Sequence, residues 1–149
     1  METEFFKSMS PEEKIIFIVE DSEVYAKSLQ TFIQNRFLDV KEIKTFRIGE
    51  MCLMELHHNP CIVIMDYFLN SKYKAADNGL EIIKRIKTQR PFTNIIVLSA
   101  QEEVEVALET VKQTDCYYIR KDKNAFNKVE HLISQIFNRN NFPAIESLN

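Results

Sequence analysis

Strand-length apolar runs that alternate with helical patterns constrain the fold of this chain more than any other feature of its sequence. Four runs are rich in Ile, Val or Tyr: Ile15–Val19, Cys61–Met65, Ile95–Leu98 and Cys116–Ile119. Such runs are typical of strands that are covered on both faces of a parallel sheet. A fifth segment, Val40 to Phe46, mixes charged and apolar residues, and its charges predict an edge strand.

A helical pattern follows each strand, because apolar residues recur there three or four positions apart. These patterns run from Val24 to Phe37, Gly49 to His58, Leu80 to Ile86, Val104 to Val111 and Phe126 to Phe137. A strand followed by a helix, five times over, predicts an α/β protein with a doubly wound, five-stranded parallel sheet and helices on both faces. We expect the flavodoxin-like strand order 2-1-3-4-5, in which ligands bind at the carboxyl ends of the strands.

Length and composition limit what such a fold can do. A chain of 149 residues fits one domain, and we expect residues 14–138 to form it, after an extension (1–13) and before a tail or the start of a linker (139–149).

Composition excludes several partners. No run approaches the ~18 apolar residues of a membrane span, so we predict a cytoplasmic protein that binds no membrane. The net charge of -3 provides no positive electrostatic potential that would attract nucleic acid. Gly49 and Gly79 are the only glycines, too few and too far apart for a phosphate-binding backbone loop. The three cysteines have no metal-ligand spacing and are predicted to be buried and reduced.

Polar residues cluster where the predicted strands end. Glu20 and Asp21 follow the first strand, and Asp66, Ser99 and Lys121 end or follow three others. Singly, each has a structural explanation as a helix cap, a turn residue or a solvated lysine. Together, the three carboxylates and one ammonium would carry a charge of about -2, which raises carboxyl pKa values unless a cation binds. Oxygen ligands suit Mg²⁺, beside which a carboxylate can act as a nucleophile toward phosphorus.

At these positions the chain resembles the receiver domain of two-component response regulators, over roughly Ile15 to Phe137. The resemblance implies that Asp66 accepts a phosphoryl group in a phosphorelay, assisted by Lys121. It further implies that Mg²⁺ or Mn²⁺ is held by Glu20, Asp21, Asp66 and the backbone carbonyl of Phe68.

The resemblance also assigns a switch. Ser99 supplies the hydroxyl that binds the phosphoryl group, and Tyr118 is the aromatic residue that turns inward. Phe68 and Gln101 lie where the family varies, and they are predicted to tune dephosphorylation. Asp122 departs from the family, which usually has proline after the lysine.

The implied partner is a sensor histidine kinase or a histidine phosphotransfer protein. A homodimer through Val104–Val111, Cys116–Ile119 and the terminal helix is also implied. The chain would be a signalling domain and no enzyme beyond its own phosphotransfer and dephosphorylation. The long segment from Tyr67 to Asp77 is hypothesised to be a lid that contacts a partner.

The sequence also leaves other functions open. A receiver-like interaction module that acts without phosphorylation is the main alternative. A Mg²⁺-dependent phosphatase of the haloacid dehalogenase class would need a second aspartate where Phe68 stands, and a flavin-binding protein would be coloured. His57 and His58 close a predicted helix before Pro60, where the helix dipole favours imidazolium; a metal or phospho-carrier role is the other interpretation.

Overall fold

A computed structural model describes residues 13–67, 79–100, 109 and 112–141 of the chain. The strands are β1 (Ile15–Val19), β2 (Glu42–Phe46), β3 (Ile62–Asp66), β4 (Asn94–Ser99) and β5 (Tyr117–Arg120). The helices are α1 (Glu23–Arg36), α2 (Gly49–Met54), α3 (Gly79–Gln89) and α4 (Ala125–Asn141), with a 3₁₀ turn over Leu56–His58. Every predicted strand is present, with ends that differ from the prediction by one or two residues at most.

The strands form one parallel sheet in the order β2-β1-β3-β4-β5. This confirms the predicted order and the edge position of β2. Consecutive residues of each strand point to opposite faces of the sheet. Ile15, Phe17 and Val19 therefore enter one core beneath α2 and α3, whereas Ile16 and Ile18 enter a second core beneath α1 and α4. Burial on both faces explains why the strands read as continuous apolar runs.

The first helix buries most of the apolar stripe predicted from Val24 to Phe37, but not its first residue. Ala26, Leu29 and Ile33 are buried, whereas Val24 is 78% exposed. Residues three and four apart share a helix face, and Val24 is five residues from Leu29, so it turns away from the sheet. The predicted placement of Val24 on the buried stripe is therefore wrong.

Parts of the predicted helical pattern lie outside the described residues. Of Val104 to Val111, the structure describes only Glu109, which is helical, as are residues 112–114. Asn78, the predicted cap of the third helix, also lies outside. In the part of the chain that is described, no helix combines the length and the apolar character needed to cross a bilayer.

Glycine is required at Gly79, where α3 begins. A Cβ atom at this position would lie 2.5 Å from the backbone oxygen of Tyr67. Tyr67 directly follows β3 and its N–H donates to the carbonyl of Leu98 at 2.9 Å. The absence of a side chain at Gly79 therefore lets α3 pack against the backbone at the carboxyl end of β3.

Candidate functional site

The register of the parallel strands places the ends of β1, β3, β4 and β5 side by side. Val19 is level with Met65, so Glu20 and Asp66 follow at the same height on neighbouring strands. On the other side, Asp66 is level with Leu98 and Ser99 is level with Arg120. The backbone ladder continues one step further, since the N–H of Lys121 donates to the carbonyl of Ser99 at 2.7 Å.

Three carboxylates converge at this edge of the sheet. Oxygen atoms of Glu20, Asp21 and Asp66 all lie within 4.8 Å of one another. Glu20 is 2% exposed and Asp66 is 8% exposed, whereas Asp21 is partly open to solvent. Burial, together with the charge of Asp66, raises the pKa of Glu20 to about 7. A bound cation would relieve this repulsion, and a donor set of oxygen atoms fits Mg²⁺ or Mn²⁺.

Lys121 is the cation that the chain itself brings to the cluster. Its Nζ lies 3.0 and 3.1 Å from the two carboxylate oxygens of Glu20, and 3.4 Å from Oδ2 of Asp66. Burial opposes the charge of Lys121, but Asp66 and Glu20 outweigh burial and raise its pKa. The ammonium group therefore stays charged beside Asp66, although its shorter contacts are with Glu20.

Tyr25 is a site residue that sequence reasoning missed. The Nζ of Lys121 lies 4.2 Å from the centre of its ring, a cation–π contact. The ring of Phe126 in α4 packs edge-on against Tyr25 at 5.4 Å. The Tyr25 hydroxyl is enclosed and has no hydrogen-bond partner among the described residues. The available signal was its position in the first turn of α1, which begins directly after the acidic residues at the end of β1.

The helix cap of α1 is Ser22 and not the neighbouring Asp21. The N-cap of α1 is Ser22, whose Oγ accepts from the N–H of Tyr25 at 3.2 Å. The backbone N–H of Ser22 donates to Oε1 of Glu20, also at 3.2 Å. Ser22, and not Asp21, therefore caps α1, and it helps to hold Glu20 in place.

The two predicted switch residues lie on β4 and β5. Ser99 is fully buried at the end of β4, where its hydroxyl donates to the carbonyl of Ala100 at 3.3 Å. Tyr118 is half-buried, and its enclosed hydroxyl has no hydrogen-bond partner in the described part of the chain. Burial raises the pKa of Tyr118.

Asp122 lies in the turn that precedes α4. Its Oδ1 accepts from the N–H of Asn124 at 2.8 Å, and its carbonyl accepts from the N–H of Ala125 at 3.1 Å. All peptide bonds in the described residues are trans, including that between Lys121 and Asp122. Asp122 therefore organises this turn by accepting hydrogen bonds with its side chain and its backbone carbonyl.

Three of the sequence predictions concern residues that the structure does not describe. Phe68 and Gln101, the predicted rate-tuning positions, lie outside the described residues. So does all of the hypothesised lid, Tyr67 to Asp77, except Tyr67 itself. Of the three predicted dimer elements, Val104–Val111 lies almost entirely outside them. These interpretations stay predictions.

The chain matches the model of a known protein family. The family model described as the response regulator receiver domain matches residues 16–137. No curated protein sequence matches the chain.

Solved structures share the fold at low sequence identity. The signal receiver domain of a putative Luxo repressor protein from Vibrio parahaemolyticus is 17% identical with a TM-score of 0.72, covering 90% of this chain and 97% of that one. The BeF3-activated receiver domain of DrrB from Thermotoga maritima is 23% identical with a TM-score of 0.70, covering 86% of this chain and 100% of that one. The Salmonella typhimurium RcsB response regulator is 18% identical with a TM-score of 0.71, covering 86% of this chain. The match spans only 61% of the RcsB chain, somewhat under two thirds of its length.

Proposed function

This chain belongs to the family of response regulator receiver domains, and we propose that it accepts a phosphoryl group on Asp66 from a phosphohistidine of a sensor kinase or a histidine phosphotransfer protein. The observation that carries the proposal is the position of Lys121, whose ammonium group lies 3.4 Å from Asp66 and is anchored on Glu20. A buried carboxylate with a charged ammonium group beside it is suited to attack an anionic phosphoryl group.

The chemistry is an in-line displacement at phosphorus. A carboxylate oxygen of Asp66 forms a bond to phosphorus while the bond between phosphorus and the donor imidazole nitrogen breaks. The electron pair of that bond returns to the imidazole, and the product is an acyl phosphate. Mg²⁺ or Mn²⁺ held by Glu20, Asp21 and Asp66 would neutralise charge on the phosphoryl oxygens when bound.

Lys121 and Ser99 act on the phosphoryl group from the protein side. Lys121 can turn its ammonium group from Asp66 to a phosphoryl oxygen while Glu20 keeps it in place. Ser99 gives up its weak contact with the Ala100 carbonyl, 3.3 Å long, for a charge-assisted hydrogen bond to phosphate. Tyr118 then turns inward, where its hydroxyl forms a hydrogen bond. This movement changes the surface around β5 that other proteins contact.

The test is phosphorylation by acetyl phosphate in the presence of Mg²⁺, followed by intact-protein mass spectrometry. The wild-type chain is expected to gain the mass of one phosphoryl group, and Asp66→Asn is expected to gain none. Asp39→Asn is the matched control, because Asp39 is an exposed carboxylate paired with Lys14, which precedes β1 at the opposite end from Asp66.

Two results would contradict the proposal. A mass gain that persists in Asp66→Asn would move the acceptor to another residue. No gain in the wild-type chain, even with a competent histidine kinase as donor, would favour an interaction module that works without phosphorylation.

A further inference from the structure

A second cluster of metal-ligating side chains lies at the opposite edge of the sheet. Glu55, His57 and His58 belong to the turn that precedes β3, whereas Asp66 ends that strand. One ligand atom from each of the three side chains lies within 4.8 Å of the other two. No part of the proposed phosphotransfer uses these residues.

The two imidazoles face one carboxylate oxygen. Nε2 of His58 lies 3.0 Å and Nε2 of His57 lies 3.8 Å from Oε2 of Glu55. The ring centres are 4.2 Å apart at an angle of 38°, so neighbouring residues present the same ring nitrogen to the same point. Ligands of a tetrahedral zinc ion lie about 3.3 Å from one another, which follows from metal–ligand bonds of about 2.0–2.1 Å. Small side-chain rotations would therefore bring the three atoms to a common metal.

The backbone beneath this cluster is held at several points. Leu56, between Glu55 and His57, is 2% exposed and anchors the turn in the core. Its carbonyl accepts from Nε of Arg90 at 3.0 Å and from the N–H of Asn59 at 2.9 Å. Ligands on such a frame lose little backbone freedom when a metal binds, which favours affinity.

We propose that Glu55, His57 and His58 form a surface site for a borderline divalent cation such as Zn²⁺. Two imidazole nitrogens and one carboxylate suit Zn²⁺ rather than Mg²⁺, which prefers oxygen ligands. Three protein ligands leave a fourth position for water or for a ligand from another molecule. Lys44 competes with the metal, since its Nζ lies 3.9 Å from Oε2 of Glu55, but Glu42 at 3.6 Å can retain it.

Other zinc ligands in the described chain are less suitable. Burial raises the pKa of Cys52 to about 12 and also raises that of Cys116, so both thiols stay protonated. Cys61 donates its Sγ proton to the carbonyl of Ile15 at 3.2 Å. The carboxylates around Asp66 can be kept occupied by excess Mg²⁺.

The experiment is titration calorimetry of the full chain with Zn²⁺ in excess Mg²⁺. One zinc ion per chain is expected, with affinity lowered at least tenfold in His57→Ala and in His58→Ala. That bound rests on the ~10- to 100-fold contribution of groups that only support metal ligands. His131→Ala is the matched control, since His131 is an exposed histidine on α4 and its loss is expected to leave zinc affinity unchanged.

A further variant separates this site from the proposed phosphotransfer. Asp66→Asn is expected to bind Zn²⁺ as the wild type does, even though it cannot be phosphorylated. Zinc binding that is unchanged in both His57→Ala and His58→Ala, that is lost in Asp66→Asn, or that is absent from the wild-type chain would overturn the proposal. Far-UV circular dichroism of each variant excludes unfolding as the cause of a loss.

Discussion

Lys121 keeps its charge in a half-buried position because three groups from separate parts of the chain surround it. Glu20 supplies two oxygen contacts, Asp66 a third, and the ring of Tyr25 covers the ammonium group at 4.2 Å. The carboxylates make the charge favourable, whereas the ring limits where the ammonium can move. Tyr25 is thus a positioning residue that acts through Lys121.

Replacing Tyr25 tests this role. Tyr25→Leu removes the aromatic face, and a partly desolvated cation–π contact is worth ~0.5–2 kcal/mol. We expect phosphorylation by acetyl phosphate to slow by roughly 2- to 30-fold, the same energy expressed as a rate. The pKa of Lys121, followed by NMR of its side chain, is expected to change in the same variant.

Tyr25→Phe is the matched control for that experiment. It keeps the ring and removes only the enclosed hydroxyl, which has no hydrogen-bond partner among the described residues. Phosphorylation is expected to stay near the wild-type rate, and stability should be equal or higher. Equal rates for Tyr25→Leu and the wild type would show that the ring does not position Lys121.

At the scale of the element, α3 approaches the site through a contact that admits no side chain. The Cα of Gly79 packs against the backbone of Tyr67, the residue that follows Asp66. The obstacle to a larger residue is a carbonyl oxygen, which cannot rotate away as a side chain could. A side chain at position 79 would therefore push the start of α3 away from the end of β3.

Gly79→Ala is expected to destabilise the protein by about 1–3 kcal/mol, a typical cost of overpacking. Helix propensity alone predicts the opposite sign, since alanine inside a helix is more favourable than glycine by ~1 kcal/mol. The sign of the change in a urea unfolding experiment therefore decides between the two effects. A stabilised variant would show that the contact with Tyr67 relaxes at no cost.

Most elements could be recognised from short-range pattern alone. The run Ile15–Val19 became β1 with the same ends. The run Ile95–Leu98 became β4 with one more residue at each end, Asn94 and Ser99, because ladder pairing continues past the apolar residues. Helix faces were harder to predict, as Val24 shows: the stripe facing the sheet is set by packing, and Ala26 contributes to it although its side chain is small.

At the scale of the whole molecule, Glu20 links the site to global stability. Burial and the charge of Asp66 raise its pKa from 4.5 to about 7 in the folded state. Between these values the folded state holds a proton that the unfolded state has lost. Without divalent ions, the contribution of Glu20 to stability is therefore full below pH ~4.5 and is lost as the pH rises through about 7.

Urea unfolding across this pH range measures the effect. Compared with Glu20→Gln, the metal-free wild type is expected to lose roughly 1–3 kcal/mol more between the two pKa values. Saturating Mg²⁺ should reduce the loss, because a bound cation favours the ionised carboxylate, and chelation with EDTA should restore it. Glu130→Gln, at a half-exposed residue paired with Arg36, should follow the wild-type curve. Parallel curves for the wild type and Glu20→Gln would contradict the raised pKa.

The amino-acid sequence by itself determined the class of fold and which polar residues stand at the strand ends. These follow from local pattern: apolar runs for doubly covered strands, and polar residues where each run stops. Glu20, Asp21, Asp66, Ser99 and Lys121 were therefore identifiable before any contact was known.

Only the tertiary structure decided how those residues meet. The pairing of Lys121 with Glu20 more closely than with Asp66, the aromatic cover by Tyr25 and the contact between Gly79 and Tyr67 each join segments far apart in the chain. The physical reason is that periodicity reports which face of an element is buried, whereas the partner across that face depends on strand register and on the packing of helices. The same holds for His57 and His58, whose orientation toward one oxygen of Glu55 is set by the anchored turn at Leu56.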